Sequence, residues 1–420
     1  MAEDIKSKIE SANKVAIQKV LSSRPFLVDV KPAIEVLPGM KKRSIFHAGP
    51  PVDWKRMCGP MKGAVVATMI FEKWVNSWDE AVKMVEDGGV DLSPNHDHDA
   101  VGPMAGVISP SMPVFVVKND KHGNTNYGRI VENKVQFGGY DRQAIESLEF
   151  WSTVLAPAIG KALGKIKREG GKGIDLKSIM ARALYMGDEL HNRPVAGTAL
   201  FAMTIMSHVI ETSDRDQVLK VIDYLASNEI FFLCLAMAAC KATMNAASNT
   251  EYSTLVTVMA RNGTDFGIKV SGLGNKWFTG PSGMVRGMYF PGFGEKDANP
   301  DMGDSAITET TGVGGFALAD SPAILSLVGG TAEDALKYTK QMREITMTLN
   351  DTFLIPIFDF QGTGTGIDIR KVVKTGILPI IDTAIAHKEP GIGMIGAGLV
   401  NPPMEAFKGA LREFASKYKL

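Results

Sequence analysis

The sequence predicts an α/β fold, in which two α/β units that form a candidate duplication flank an inserted helical subdomain. Three observations predict it. Strand-like and helical segments alternate near the N-terminus, helical periodicity takes over in the middle, and glycine-dense strand-like segments return afterwards. A chain of 420 residues is also too long for one simple core. We therefore place an α/β domain at 1–140, the helical subdomain at 141–250 and a second α/β domain at 251–420.

The first domain begins with a predicted amphipathic helix over 4–20. The segments FLVDVKPAIEVLP and KRSIFHAGPP follow as predicted strands. MKGAVVATMIFEKWV and SWDEAVKMVEDGG have helical spacing, and a glycine pair closes the second helix. MPVFVVKN is a short apolar strand. This alternation of strands and helices is typical of an α/β arrangement.

The middle region is helical in pattern from Arg142 to Asn249, with apolar residues at helical spacing in segment after segment. Its most apolar run, Ile230–Cys240, is too short to cross a bilayer, which needs about 20 apolar residues. We therefore predict a buried helix there and no membrane span.

The last region carries the strand-like segments STLVTVMARNG, FGIKVSG and WFTGP, followed by the helical TAEDALKYTKQMREITMTLN and a C-terminal helix. Two of its loops match loops of the first domain at a shift of 212 residues. In one loop the matched positions are Val101, Gly102, Ala105, Ser109 and Pro110 with Val313, Gly314, Ala317, Ser321 and Pro322. In the other they are Ala48, Asp53 and Trp54 with Ala260, Asp265 and the aromatic Phe266. A duplication would bring related loops face to face at an interface, where ligand pockets are common. On this basis, 40–140 and 252–345 should superpose.

Composition narrows the function classes. Basic and acidic residues number 46 each, so the basic excess typical of nucleic-acid binders is absent. The three cysteines and a charged, polar N-terminus without the apolar core of a signal peptide favour a reducing, cytoplasmic location. We expect a cytoplasmic protein that binds neither nucleic acid nor membrane.

The segment HAGPPVDWKRMCGPMKGA is the first candidate site. Glycine and proline make a rigid loop before a helix, whose first N–H groups bind anions readily. His47, Gly49 and Lys62 are its candidate residues, although a purely structural turn explains the same pattern.

The segment NHDHDAVGPMAGVISPSMPV is the second candidate. On a strand, His96 and His98 would share one face, and a third histidine would complete a zinc site. We favour a substrate cradle instead. In it, the backbone N–H groups of Gly102 and Gly106 bind an oxyanion and the imidazoles move a proton. We accordingly predict no metal.

Three further segments carry polar groups. His122 and Asn124 belong to a turn-like run, where asparagine needs no functional explanation. In MGDELHNR, a helix would place Asp188, His191 and Asn192 on one face with Arg193 at its end. In ARNGTDFG, Arg261 and Asn262 are candidates for binding a carboxylate or phosphate. The glycines of 359–376 match the dinucleotide-binding pattern only weakly, so we predict no cofactor.

These motifs together resemble the bacterial YlbE/YahG family. The carriers are HAGPPVDWKRMCGPMKGA, HDHDAVGPMAGVISPSMPV, MGDELHNR and TTGVGGFALADSPAI, which occur in that order. Members of the family are commonly encoded beside FdrA, a protein similar to succinyl-CoA synthetase subunits. The allantoin-degradation member is described as a subunit of oxamate carbamoyltransferase, which converts oxalurate and phosphate to oxamate and carbamoyl phosphate. Where relatives often have Cys-His-Glu-His, this chain has Asn95-His96-Asp97-His98, which weakens the case for a thiolate.

The resemblance implies a carbamoyltransferase subunit that acts on a small carboxylate, with a small anionic substrate, an FdrA-like partner and a homo-oligomeric state. Two alternatives stay open at this point. One is a non-catalytic binding or scaffold subunit of an FdrA-like complex, and the other is a metal-dependent amidohydrolase, which rests on the histidines alone. The family offers no catalytic residues to carry over, so the candidates are those that the chemistry of the residues suggests. His96, His98, His47 and His191 are the candidate proton carriers.

Overall fold

The computed structural model describes residues 2–130, 132 and 134–420. It has helices and several mixed sheets, as the α/β prediction requires. The strands are β1 (Pro25–Pro32), β2 (Ser44–His47), β3 (Asp91–Pro94), β4 (Ala100–Val101), β5 (Pro113–Asn119), β6 (Thr125–Arg129), β7 (Ile174–Asp175), β8 (Val256–Asn262), β9 (Asp265–Val270), β10 (Phe278–Pro281), β11 (Arg286–Tyr289), β12 (Met302–Gly303), β13 (Thr346–Ile355), β14 (Gln361–Ile367), β15 (Ile381–Ala386) and β16 (Met394–Val400).

The helices alternate with these strands at the two ends of the chain and dominate its middle. They are α1 (Ala2–Ser22), α2 (Ala33–Val36), α3 (Gly59–Phe71), α4 (Trp78–Glu86), α5 (Arg142–Phe150), α6 (Ala156–Arg168), α7 (Leu176–Leu184), α8 (Val195–Thr212), α9 (Arg215–Ser227), α10 (Phe232–Ala246), α11 (Ile307–Thr310), α12 (Leu325–Val328), α13 (Ala332–Glu344), α14 (Ile369–Thr375) and α15 (Met404–Tyr418). A π-helical turn, Trp151–Leu155, joins α5 to α6.

The sheets divide along the chain. The first has the order β4–β6–β5–β1–β7, and the parallel pair β2–β3 lies beside it. The second has the order β10–β9–β8–β12, and β11–β16–β15 and β13–β14 complete the C-terminal part. The first sheet belongs to the predicted first domain except for β7, and the others after β8 belong to the last. The proposed domain boundaries stay a prediction.

The predicted duplication is wrong in its strand order. Within 40–140, β2 and β3 pair in parallel across two helices. Within 252–345, β8, β9 and β10 form an antiparallel meander instead. The matched loops therefore sit on different topologies, and the shared residue types do not reflect a structural repeat.

Local sequence explains several helix starts and one misplaced end. Ser77 and Asp141 accept hydrogen bonds from the N–H groups of Glu80 and Ala144 and so cap α4 and α5. The helical pattern predicted through TMTLN stops at Glu344, because the residues after it form β13 and pair with the glycine-rich β14. The glycines of 359–376 thus lie mainly in a strand and not in a nucleotide loop.

Two apolar helices bear on the membrane prediction. The run Ile230–Cys240 falls largely in α10, which is buried over almost its whole length, as predicted. Helix α8 is long and apolar enough to cross a membrane by length and composition, and 33% of it is buried. Core helices of soluble proteins meet the same test, so the absence of a membrane span stays a prediction.

Candidate functional site

A single buried carboxylate, that of Asp304, joins the glycine-rich loops. Its Oδ1 accepts a hydrogen bond from Gly49 N at 2.8 Å, and its Oδ2 accepts from Asn95 Nδ2 at 2.9 Å and from Gly102 N at 3.0 Å. Burial raises the pKa of Asp304 to about 7, against the opposing effect of these donors. The loop just after β12 is thereby hydrogen-bonded to the segments that contain Gly49, Asn95 and Gly102, which lie at least two hundred residues earlier in the chain.

This arrangement corrects the predicted role of the glycine N–H groups. Those of Gly49 and Gly102 already bind the chain's own carboxylate, and Gly106 N donates to Pro103 O at 2.9 Å. A Cβ on Gly102 or on Gly106 would come within 2.7 Å of the other's backbone. These glycines are therefore required for close packing of the loop, whatever substrate it faces.

His96 lies at the centre of a cluster that we call the cationic cluster, formed by His96, Lys241 and Lys269. Its imidazole is fully buried, and Nε2 is 3.5 Å from Asp304 Oδ1, too far for a good hydrogen bond. Neither ring nitrogen has a hydrogen-bond partner among the described residues. Burial, reinforced by the charges of Lys241 and Lys269, lowers the pKa of His96 well below its ordinary value. The imidazole is thus neutral near pH 7.

The two lysines are buried as well. Lys241 Nζ donates to His96 O at 3.3 Å, and burial lowers the pKa of Lys241 to about 8. Lys269 Nζ binds Asp97 Oδ1, and Trp277 Nε1 donates to the same oxygen at 3.0 Å. Buried cations require paired anions, and Asp97, whose side chain is 33% exposed, connects the cluster to the surface.

Neither lysine was among the predicted site residues, and neither was Trp277. Lys241 is the one charged residue of α10 and directly follows the apolar run Ile230–Cys240, and Lys269 is a charged residue in the apolar β9. A lysine inside a pattern that predicts full burial was the available signal, because such residues are rarely buried without a partner.

His47 approaches this cluster from β2. Its ring is buried, and Nδ1 lies 2.8 Å from Ala48 O. Burial lowers the pKa of His47 to about 4 from 6.5, with the charge of Asp97 among the smaller opposing effects.

The pKa of His47 predicts a loss of stability in acid. The folded state resists protonation of His47 while the unfolded state accepts it below pH 6.5, so stability falls as the pH drops through that value. Between pH 7 and pH 5 the wild type should lose about 2 kcal/mol more than His47→Gln. Urea unfolding of both proteins at the two pH values measures the difference. An equal loss in both proteins would mean that His47 is protonated as readily in the fold as in the unfolded chain.

His98 does not share a face with His96. Residues Asn95–His98 form a 3-10 turn and not the expected strand, so the two rings point apart. The ring of His98 stacks on Phe46 with centroids 3.7 Å apart, and its nitrogens lie 2.7 Å from Pro38 O and 2.9 Å from Ser93 Oγ. Both nitrogens are occupied, which gives His98 a structural position.

Three further predicted residues have contacts outside the cationic cluster: His122, Asn124 and Lys62. His122 Nε2 is 3.1 Å from Ser22 Oγ, and Asn124 Nδ2 donates to Ala242 O at 2.9 Å. Lys62 lies over the ring of Trp54, at 5.5 Å from its centroid. The contacts of all three tie one element to another.

The MGDELHNR segment is a loop between α7 and α8, contrary to the predicted helix. Asp188 accepts hydrogen bonds from Leu190 N and Gly197 N, at 2.8 and 2.7 Å. Burial, with the adjacent Glu189, raises the pKa of Asp188 to about 7. His191 Nδ1 lies 2.7 Å from Glu309 Oε1. Asn192 is half-buried and Arg193 is exposed, so these side chains do not converge on one ligand.

A second buried acidic group lies beneath this loop. Asp382 is fully buried next to Glu189 and Glu309, and burial with these two carboxyl groups raises the pKa of Asp382 well above its ordinary value. A protonated Asp382 can donate to Glu189, whose Oε1 accepts from Asn192 N at 2.5 Å and from Arg193 N at 2.8 Å. No group of three or more His, Cys, Asp or Glu side chains in the described part of the chain is placed to hold a metal ion.

Arg261 is committed to the core. It binds Asp301 through both Nε and Nη2, at 2.6 and 2.9 Å, and Nη1 donates to Gly303 O at 2.7 Å. Asn262 Nδ2 donates to Pro50 O at 2.9 Å, so its loop does face the first candidate loop. Arg261 therefore holds the loop that carries Asp304 and has no free donor set for a substrate.

A large cavity lies away from these residues. It measures about 700 Å³ between β1 and α6, with Lys31, Lys161 and Arg168 at its rim. None of the predicted site residues lines it, so size alone does not locate the chemistry.

Comparisons with known proteins agree over nearly the whole chain. The model of the family described as "Oxamate carbamoyltransferase subunit AllG" matches residues 90–305. The Escherichia coli "Uncharacterized protein YahG" is 45% identical over 98% of this chain and 87% of its own length. The "Oxamate carbamoyltransferase subunit AllG" of Escherichia coli is 42% identical over 97% of this chain and 98% of its own.

One solved structure shares the fold. It is the crystal structure of a conserved protein of unknown function from Enterococcus faecalis, with a TM-score of 0.95 and 46% identity. The similarity covers 98% of this chain and 99% of that one.

Proposed function

Because the chain belongs to the YahG/AllG family, we propose that it is a carbamoyltransferase subunit in allantoin degradation that acts on a small carboxylate. The proposed reaction is the conversion of oxalurate and phosphate to oxamate and carbamoyl phosphate, or a close relative of it. The single observation that carries the proposal is the cationic cluster. It holds a neutral imidazole without a hydrogen-bond partner among the described residues, beside two buried ammonium groups.

The chemistry of the reaction needs these groups. A phosphate oxygen attacks the ureido carbonyl, the C–N bond breaks, and the departing nitrogen gains the proton that the phosphate loses. His96 accepts that proton and returns it to the leaving nitrogen, and the negative charges of the bound substrates raise the pKa of its imidazole toward the range that this transfer needs. Lys241 and Lys269 bind the negative charges of the two substrates, and positioning supplies much of the rate.

Binding of oxamate tests the proposal on the isolated chain. A ligand that binds only the folded state at a hundred times its Kd adds about 2.7 kcal/mol of stability. We expect stabilisation of that order by oxamate, and its loss in Lys269→Gln, because the ammonium that binds the carboxylate is gone. Thermal or urea unfolding with increasing oxamate measures it.

The matched control for this experiment is Lys276→Gln. Lys276 is exposed, lies close to Lys269 in sequence and pairs with Glu413 at 2.9 Å, so its loss should leave oxamate binding intact. Oxamate that stabilises neither the wild type nor the control, over a range of phosphate concentrations, would count against a substrate site in this chain.

A non-catalytic subunit is the second candidate, and the closed packing of the loops favours it. The N–H groups of Gly49 and Gly102 bind Asp304 and not a ligand. In that case the chain would act as a scaffold that binds an FdrA-like partner, and neither oxamate nor phosphate would stabilise the isolated chain against unfolding.

We propose a cytoplasmic homo-oligomer that also binds the FdrA-like protein. Support for self-association comes from α8 and α9, which expose the apolar side chains of Met203, Ile210, Leu219 and Ile222. Monomers rarely expose large contiguous apolar patches without a partner. Sedimentation velocity, on the chain alone and with the partner, measures both associations.

A further inference from the structure

A buried ammonium and a half-buried indole N–H converge on one oxygen of Asp97. Lys269 Nζ lies 2.5 Å from Asp97 Oδ1, and Trp277 Nε1 lies 3.0 Å from the same atom. The Lys269 side chain is 5% exposed, whereas that of Asp97 is 33% exposed. The ammonium also lies 4.9 Å from the centre of the Trp277 ring. An ammonium and an indole N–H directed at one carboxylate oxygen make a carboxylate-binding site, which the chain fills with its own Asp97.

The donors are held firmly, and Asp97 is held less firmly. Lys269 belongs to β9, which pairs with β8 on one side and β10 on the other. Trp277 packs against the backbone at Gly267, where a Cβ would lie 2.8 Å from the ring. Asp97, in contrast, lies in the four-residue 3-10 turn Asn95–His98 and reaches solvent. The carboxylate can therefore leave while its two donors stay in place.

The buried lysines around Asp97 favour replacement of its carboxylate by another anion over a site without any anion. The charges of Lys241 and Lys269 act on each other and on His96, so removal of Asp97 alone would leave two buried cations poorly compensated, which is costly. Exchange of one carboxylate for another avoids that cost. The His96 and Trp277 rings meet edge to face with centroids 6.1 Å apart. A small acid bound at Lys269 and Trp277 would thus lie near the His96 imidazole.

We propose that Asp97 is an internal stand-in for the substrate's carboxylate, and that a small α-oxo monocarboxylate such as oxamate binds by displacing it from Lys269 and Trp277. This inference rests on the proposed function and names the substrate group that the cluster recognises. An occupant that must be displaced lowers the apparent affinity in proportion to the fraction of molecules in which the site is free. Asp97 therefore acts as a competitor built into the chain.

The experiment is oxamate binding by calorimetry to the full-length wild type, Asp97→Asn, Asp97→Glu and Asp91→Asn. Asparagine keeps an acceptor for Trp277 Nε1 and removes the competing charge, so Asp97→Asn should bind oxamate about tenfold more tightly. Asp97→Glu keeps the charge and should stay within about twofold of the wild type. Asp91 is exposed and pairs with Lys41 at 3.4 Å, so Asp91→Asn controls for the change in net charge.

Two further probes assign the recognised group. Oxamide, which has an amide where oxamate has its carboxylate, should gain nothing from Asp97→Asn. Inorganic phosphate should gain much less than oxamate, and an equal gain would overturn the carboxylate assignment in favour of a general anion site. Weaker or unchanged oxamate binding in Asp97→Asn would overturn the stand-in role, because Asp97 would then be a ligand of the substrate or a bystander.

These measurements distinguish a failure of the stand-in role of Asp97 from a failure of the proposed function. If oxamate binds and Asp97→Asn does not tighten it, the stand-in fails while the substrate site remains. If oxamate binds neither protein, the proposed function fails together with the inference. Unfolding curves of Asp97→Asn show whether it is folded, and Asp97→Ser, which also removes the charge, repeats the test if it is not.

Discussion

Replacing Arg261 with methionine should destabilise the fold by about 3–5 kcal/mol, the usual cost of removing one partner of a buried ion pair. Arg261 is 1% exposed and binds Asp301 through two nitrogens while also holding Gly303 O. Without it, Asp301 is a buried carboxylate that keeps only the hydroxyl of Thr383 at 3.2 Å among its side-chain partners here. Urea unfolding of the purified protein measures the change in the free energy of unfolding.

A control variant and a double mutant test whether the loss of stability comes from the broken ion pair. Arg286→Met removes an exposed arginine that donates to Asn401 at 2.9 Å, and it should change stability by less than about 0.5 kcal/mol. Arg261→Met combined with Asp301→Leu removes both charges and should recover part of the loss. A stable Arg261→Met protein that has lost only oxamate binding would restore the substrate-binding role that the sequence suggested.

Replacing His96 with asparagine should lower turnover about a hundredfold in the complete complex, whereas His98→Asn should keep most of it. The prediction follows from the two rings' partners. His96 is buried without a hydrogen-bond partner among the described residues, and the charges of both lysines that we propose bind substrate act on its ring. His98 has both nitrogens occupied and stacks on Phe46, so its loss should cost stability in the range of about 1 kcal/mol.

The comparison separates three explanations of the same loop. A loss in His96→Asn alone supports a proton carrier at that position. Equal losses in both variants would point to damage of the loop's conformation, which circular dichroism and unfolding curves of the two proteins would reveal. Full turnover in both would leave the segment as a structural turn.

Local patterns predicted the elements well where burial and periodicity agree. The apolar run of α10 is buried as expected, because a run with no polar face can only lie inside the protein. Helix α1 covers the predicted range 4–20 and extends beyond it. It forms as expected because its apolar residues lie on one face and its charged residues on the other. Such signals need only neighbouring residues.

The predictions that were wrong depend on local backbone conformation or on hydrogen-bond partners that the neighbouring sequence does not reveal. The alternating His96 and His98 suggested a strand, but the next residue, Asp99, adopts a left-handed conformation with φ 58° and ends a 3-10 turn. MGDELHNR has helical spacing, yet Asp188 accepts from Gly197 N and so fixes the start of α8 instead. The glycine loops suggested free backbone donors, because nothing near them in sequence announces Asp304 as their acceptor.

The bonds of Asp304 also constrain how the chain reaches its native state. Its partners Gly49, Asn95 and Gly102 precede it by 202 to 255 residues. Contacts of such separation carry a large loop-closure entropy and slow folding. During synthesis, the loops that contain Gly49 and Gly102 leave the ribosome long before the carboxylate that fastens them. We expect these loops to be among the last parts to gain protection from hydrogen exchange, as the two ends of the molecule close on each other.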